Sequence, residues 1–491
     1  MAPPLTSAGM GNSPRGRRTA PLVIVRVLVF CALAFLLSGG TAQADGVSSG
    51  ADVQVAQTLG TRDLTIVLRR MDIAPGPLHV DVVTHAGNPP GTLKLRASTA
   101  GTTFSETTVQ LGERPGAYSA LVRIDQPGPW ELGLDDGTDT ASIPFIAPAR
   151  VVPPWEKATF GGFVAAGVFL VLGLVIAMRV KRPQLALLPA GGMVAALAVA
   201  ITGAMLSAST PPPPAPGAEL DPTIDNIQDP YANAQMSTVD FSRPPVNLAV
   251  RAPGARSGGL ADVRIVLTDG ATGRPVDDLL VHDNALIHLV VISPTGRLWH
   301  LHPVRVGPGD YRMKFTPPEA GTYAVAAELA RRGGGVQLVR TTMPVAAGTD
   351  SPAEPVPAGA GSRVIKGNEV DVDVKPGTPT TITARFARAD LQPWLGMLGH
   401  LIVVGPITGD GRVGADAAAA PTWAHVHSMI PQSPGMPGKP DETVAAYGPT
   451  VPFTYTFGAP GKYRVWLQAE RDYTVLTVPM QIEIPSGGAP Q

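Results

Sequence analysis

Short stretches in which apolar and polar residues alternate recur through most of the chain. Leu64-Thr-Ile-Val-Leu68, Leu78-His-Val-Asp-Val-Val83 and Ala120-Leu-Val-Arg-Ile124 show the pattern, with Gly and Pro breaking it at short intervals. A period of two with this punctuation predicts a β-sandwich over residues 45–150. The same texture returns over 241–347 and 363–486, where no helical period is evident. Between these regions the alternation gives way to two unbroken apolar runs, 158–178 and 185–206. Each is long enough to cross a hydrocarbon core of about 30 Å as a helix. The expected fold class is therefore all-β, with three immunoglobulin-like β-sandwich domains plus a two-helix transmembrane hairpin.

The flanks of the apolar runs carry a topology. Arg15-Gly-Arg17-Arg18 precedes an apolar stretch from Leu22 to Leu37, and Ala42-Gln-Ala44 forms a small-X-small site. Residues 1–44 thus read as a secretory signal cut before Asp45, with an uncleaved anchor as the alternative. Arg179, Lys181 and Arg182 lie between the two later runs, and the positive-inside rule puts that loop in the cytoplasm. Trp155 suits the outer interface. The expected location is the cell membrane, with the N-terminal domain and both C-terminal domains on its exterior face. Neither run has an ionisable residue at its centre, so an anchor is expected rather than a transport path. Gly161, Gly162, Gly167 and Gly173 favour close helix packing. Pro211-Pro-Pro-Pro214 opens a stiff linker over 209–240, and an Ala/Pro/Gly-rich linker over 348–362 separates the last two domains.

Charge and cysteine content narrow the function classes. A net charge of −1 and the lack of a long basic run outside the N-terminal arm argue against a nucleic-acid partner. The single cysteine, Cys31, lies in the first apolar stretch. If that stretch is removed the mature chain has no thiol, and disulfides, thiolate metal sites and blue-copper centres are excluded. No nucleophile elbow, P-loop, dinucleotide fingerprint or HEXXH helix is present, and an enzyme is not expected.

Histidine placement carries the strongest chemical signal. Asp278-Leu279 precedes His288-Leu-Val-Val-Ile292, and Asp390-Leu391 precedes His400-Leu-Ile-Val-Val404 at the same offset. Trp299 and Trp423 then stand just before His300-Leu-His302 and His425-Val-His427, and each unit ends in a Gly-X-Tyr strand, at Tyr323 and at Tyr463. The chain has only 9 histidines, and six fall in this duplicated pattern. In the first repeat, Ser293-Pro-Thr-Gly-Arg297 reads as a hairpin turn. Folding about Thr295 sets His288 opposite His302, with His300 on the same face. Three imidazoles then converge, and His282 is placed to supply a fourth nitrogen. In the second repeat a long loop, 405–421, replaces the tight turn, and Trp394 stands where the first repeat has His282. There His400, His425, His427 and Met429 are the candidate ligands, with Met436 nearby. Imidazole suits copper and zinc, and an added thioether favours Cu(I). Against this stands the plainer reading of hydrogen-bonded structural histidines. His79 and His85 in the first domain read as surface or packed residues.

With its late Gly116-Ala-Tyr118 and Pro127-Gly-Pro-Trp130 strands, the first domain resembles the small extracytoplasmic modules of the YtkA-like and FixH-like type. The two repeats resemble that broad group too, the first through its His288-Leu-Val-Val and His300-Leu-His302-Pro303 segments and the second through the matching His400-Leu-Ile-Val and His425-Val-His427, and they resemble the CopC-type copper carriers more distantly. The resemblance implies a β-sandwich fold and an association with copper. The N-terminal histidine ligand of the CopC type has no counterpart at Asp45. The expected function is membrane-anchored extracytoplasmic metal binding, most readily copper (alternatively zinc), for sequestration or delivery. Metal ion and lipid bilayer are the expected partners, with another envelope protein conceivable. The competing expectation is a metal-free scaffold of the cell envelope.

Overall fold

The computed structural model describes residues 52–69, 71, 74–147, 154–209, 245–331, 334–351, 359–409, 412–430 and 441–486. The expected signal, nearly all of the Pro-rich linker and Met436 lie outside these residues. What is described is mostly β, arranged as antiparallel sheets that pack in sandwich-like pairs, plus two apolar helices.

In the N-terminal region, β1 (Val53–Leu59), β2 (Arg62–Leu68), β3 (Gly76–Thr84) and β6 (Gly116–Ile124) make one sheet in the order β1-β2-β3-β6. The other runs β5-β4-β7-β8, from β4 (Gly91–Thr99), β5 (Thr102–Leu111), β7 (Gly128–Asp135) and β8 (Thr140–Ala147). Alternate side chains, among them Val55, Ile66 and Val80 on one sheet and Leu95, Trp130 and Ile143 on the other, meet in a buried core.

The first repeat contains β9 (Val246–Arg251), β10 (Ala261–Asp269), β11 (Leu279–Leu280), β12 (His288–Ile292), β13 (Leu298–Leu301), β14 (Val304–Gly307), β15 (Asp310–Phe315), β16 (Gly321–Arg331) and β17 (Gly335–Val345). Its sheets run β14-β15-β10-β9 and β11-β16-β12-β13, with β17 also paired to β16. The second repeat contains β18 (Gly361–Ile365), β19 (Asn368–Lys375), β20 (Thr380–Phe386), β21 (Leu391–Gln392), β22 (Gly399–Gly405), β23 (Thr422–Ser428), β24 (Thr450–Tyr455), β25 (Gly461–Arg471) and β26 (Thr474–Ile484). Its sheets run β18-β19-β20-β24 and β21-β25-β22-β23, with β26 on β25. The sheet that carries the histidines thus has one plan in both repeats.

Two sequence signals acquire a physical reason here. The duplicated Asp-Leu anchors the start of each histidine sheet through a buried arginine. Arg331 Nε lies 2.9 Å from Asp278 Oδ1, and Arg471 Nη2 lies 2.7 Å from Asp390 Oδ2. The Gly-X-Tyr strands are tyrosine corners. Tyr323 OH donates to the Glu319 carbonyl at 2.7 Å and Tyr463 OH to that of Ala459 at 2.8 Å. Tyr118 makes the same contact with Arg114 in the first domain.

The apolar helices are α1 (Pro154–Arg179) and α2 (Leu187–Ser209). Their largest side chains, such as Phe160, Val168, Leu188 and Met205, are exposed. Small residues line their contact: a Cβ on Gly162 would sit 2.8 Å from the Ala196 carbonyl oxygen, and one on Gly203 2.8 Å from that of Trp155. Gly161 and Gly167 face open space, so of the four glycines named from sequence only Gly162 takes the close approach.

The long loop expected over 405–421 carries local structure. It contains a short helix, α3 (Val413–Ala419), that docks on the first repeat. Val413 N donates to the Pro294 carbonyl at 2.9 Å, and Arg340 Nη1 donates to that of Ala420 at 2.6 Å. Val290, Ile292 and Ala324 of the first repeat then share a core with Ile402, Val404, Val413 and Trp466 of the second. An alanine-rich segment this short has no readable period, so its helix depends on that surface.

Candidate metal centre

In both repeats the first histidine heads the central strand of a sheet and the other two lie on its neighbour. The register Leu289↔Leu301 and Val290↔His300 carries His288 opposite His302. In the second repeat His400 is paired directly with His427. Side chains on one face of such a pair lie close enough to converge. One ring nitrogen from each of His288, His300 and His302 lies within 4.8 Å of the other two, and the same holds for His400, His425 and His427.

The hydrogen bonds around the first triad assign its protons. His288 Nε2 lies 2.9 Å from the His282 carbonyl oxygen, so Nε2 carries the proton and Nδ1 a lone pair. That Nδ1 faces His300 Nε2 at 3.1 Å. The other nitrogen of His300, Nδ1, lies 3.2 Å from Gln468 Oε1, and the Gln468 amide is turned so that its Nε2 donates to Thr477 Oγ1 at 2.9 Å. In that orientation His300 Nδ1 is the donor and Nε2 presents a lone pair. Two lone pairs therefore face each other across 3.1 Å. Nε2 of His302, which is 6% exposed, is buried without a hydrogen-bond partner.

The second triad repeats the arrangement. His400 Nε2 lies 3.1 Å from the Trp394 carbonyl, and its Nδ1 lies 3.0 Å from His425 Nε2. His425 Nδ1 is 3.4 Å from Glu328 Oε1, and His427 Nδ1 is 3.7 Å from Asp283 Oδ2. His427 Nε2 is another buried nitrogen without a partner.

In the first triad a proton does not relieve this crowding. Burial, and then the neighbouring His425, hold His288 down at about 3. Burial and adjacent imidazoles likewise hold His300, His302 and His400 well below the ordinary histidine value. Burial and His425 lower His427 as well. Neutral imidazole is the form that ligates a metal. Two ligands each about 2.0–2.1 Å from one ion stand roughly 3 Å apart at an angle near 100°. In each triad one pair of ring nitrogens has that spacing, and the third ligand atom lies within 4.8 Å of both.

His282, expected as a fourth nitrogen of the first triad, instead joins Asp283 and Glu328 in a third group whose possible ligand atoms lie within 4.8 Å of one another. Its Nε2 lies 3.1 Å from Asp283 Oδ2 and 3.8 Å from Glu328 Oε1, and its carbonyl oxygen accepts from His288. Met429 is corrected. It follows the end of β23 and is 65% exposed, which takes its thioether out of the buried cluster. Trp394 fills the space left by the missing histidine, with its ring 5.1 Å from that of His300 and 4.9 Å from that of His400. His79 is exposed, whereas His85 is buried with Nδ1 2.6 Å from Glu470 Oε1.

The residues missed from sequence are Glu328 and Gln468. They hold equivalent places, opposite His288 and His400 in the sheet register. Each interrupts a short apolar run, in Ala-Val-Ala-Ala-Glu328-Leu and Val-Trp-Leu-Gln468-Ala, and that was the available signal.

The N-terminal domain closes one side of the cluster. Thr58 N donates to the His302 carbonyl at 2.7 Å, His302 N donates to Thr58 Oγ1 at 2.9 Å, and Ala56 N donates to the Asn284 carbonyl at 2.7 Å. A cavity of about 870 Å³ lies beside this contact, and Thr65, His85, His300, His302, Trp394 and Gln468 are among its lining residues.

Residues 364–486 match a family described as a domain of unknown function, DUF8832. No curated protein matches the chain. Several solved structures align with it at low scores. A tetra-tandem repeat from the extending region of a large adhesion protein aligns over 88% of this chain and 74% of its own, at 10% identity and a TM-score of 0.16. A Salmonella alpha-2-macroglobulin mutant aligns over 83% and 22%, at 10% identity and 0.15. Fibronectin(III)-like modules of Clostridium thermocellum CbhA align over 48% and 94%, at 13% identity and 0.13. Scores of this size carry no argument about function.

Proposed function

We propose that the protein is a membrane-anchored metal-binding protein that holds copper through its paired histidine triads, on the exterior face of the membrane. The observation that carries the reading is the close approach of two ring nitrogens in each triad, at 3.1 Å and 3.0 Å, beside a buried nitrogen without a partner. A cation held by those nitrogens would turn the approach into coordination and satisfy the third imidazole. A carbonyl, an amide oxygen or a carboxylate on the far ring nitrogen is the usual outer support of a metal-bound histidine.

Copper is favoured over zinc because imidazole sets bind Cu(II) more tightly at equal geometry. The two apolar helices supply the anchor, and the basic loop between them supplies the orientation. The resemblance to copper-associated extracytoplasmic modules points the same way. Sequestration or delivery, rather than catalysis, suits a site of this kind.

The test is metal titration of the full chain in detergent, with Cu(I), Cu(II) and Zn(II), reading bound metal. Stoichiometric copper is expected, falling in His300→Ala/His302→Ala and again when His425→Ala/His427→Ala is added. Binding no tighter in the wild type than in the quadruple variant would sink the metal reading and leave the envelope scaffold in its place.

A further inference from the structure

The two triads lie against each other at the interface between the repeats. The His425 ring centroid is 5.3 Å from that of His288 and 5.0 Å from that of His300, and His300 and His400 are 5.6 Å apart. These separations across the interface match those within one triad, such as 5.3 Å for His288–His300 and 5.2 Å for His400–His425. The outer supports are also exchanged. Gln468 of the second repeat holds His300 of the first, and Glu328 of the first stands behind His425 of the second. We infer that the six histidines form one two-ion centre built jointly by both repeats, in which each repeat supplies the outer hydrogen-bond acceptor for a ligand of the other. This rests on the metal reading above and says how its two sites are related.

Three features support a joint centre over two sites that merely happen to be near. The repeats are held in register by a shared apolar core, so the triads cannot drift apart without exposing it. Trp466 Nε1 donates to the Gly296 carbonyl at 3.1 Å, which ties the second repeat to the turn between β12 and β13. The exchange is unequal in charge, because the position that is Glu328 in the first repeat is Gln468 in the second. A carboxylate stands behind the second triad and a neutral amide behind the first. The second triad is therefore the stronger site for a cation, and it fills first.

The experiment is Cu(II) loading of the full chain, with copper counted chemically, its oxidation state read at the X-ray absorption edge, and its EPR intensity integrated. Two Cu(II) ions in one centre couple. The wild type with two ions is expected to show an EPR intensity well below its copper content, whereas His300→Ala/His302→Ala with one ion shows full intensity. Two bound ions at full intensity, or a single ion at saturation, would overturn the joint centre and leave metal binding standing. No bound copper would instead remove the reading on which it rests. A second arm crosses the interface. In the His300→Ala/His302→Ala background, adding Glu328→Gln is expected to weaken the remaining ion about 10- to 100-fold, although Glu328 lies on the other repeat. Unchanged affinity there, with the fold intact by circular dichroism, would also overturn the joint centre.

Discussion

At the scale of single residues, the charge at His85 ties the N-terminal domain to the second repeat. Burial works against its imidazolium, but Glu470 at 2.6 Å, aided by Glu442 and Asp63, outweighs that and raises the pKa to about 9. Thr65 Oγ1 completes its surroundings at 3.2 Å from Nε2. Glu442, buried next to Glu470, is raised to about 7, chiefly by burial. Both groups hold their proton more tightly in the folded state than in the unfolded chain, where they return to about 6.5 and 4.5. Each contribution is full below the unfolded value, declines above it, and is lost once pH has passed the folded value. The domain contact is therefore expected to weaken from pH 6.5 to 9, on the order of 2–3 kcal/mol for His85. Urea melts at the two ends of that range would show it, and His85→Gln should remove most of the difference. From sequence His85 reads as a packed or surface residue, because Glu470 lies far along the chain. The triads are legible earlier, since an offset and an i, i+2 rule suffice to put three rings on one face. Their tautomers are not legible, because the groups that set them are backbone carbonyls and side chains of the other repeat.

Among the elements, α3 has the clearest consequence. A Cβ on Gly414 would lie 2.3 Å from the Thr322 carbonyl oxygen and 3.1 Å from that of Ile292. Backbone on both sides leaves no room to give. Gly414→Val is expected to weaken the contact between the repeats by about 1–3 kcal/mol, seen as a lower melting temperature and faster proteolysis in the linker over 348–362. Full resistance to protease would show that α3 is dispensable for docking. The pair of apolar helices has its own close approach. Gly162→Leu is expected to open the α1–α2 contact, which thermal unfolding in detergent would report. The strands were readable from alternation, but α3 was not, because seven residues carry too little period and their helix is stabilised by another domain.

For the whole molecule, the expectation that can be checked most directly is topology. In a Cys31→Ser background, Lys181→Cys should react with a membrane-impermeant maleimide only after lysis. Thr103→Cys, on the exposed side of β5, should react in intact cells stripped of their wall. The reverse pattern would invert the anchor and place the histidines inside. The same scale explains how a small number of histidines can become a built site. The N-terminal domain, β12–β13 and β22–β23 all converge on them, and each contributes a wall that the others lack.

The sequence by itself determined the β texture, the apolar helix pair, the duplication and the three-histidine face of each copy. All of these are local, fixed by period, length and spacing along the chain. Only the tertiary structure decided that the two faces meet, that Glu328 and Gln468 each face a histidine of the other repeat, and that His282 sides with Asp283 and Glu328 while Met429 stays exposed. Those outcomes depend on which apolar surfaces bury each other. Residues more than a hundred positions apart become neighbours through that burial, and no local pattern records it.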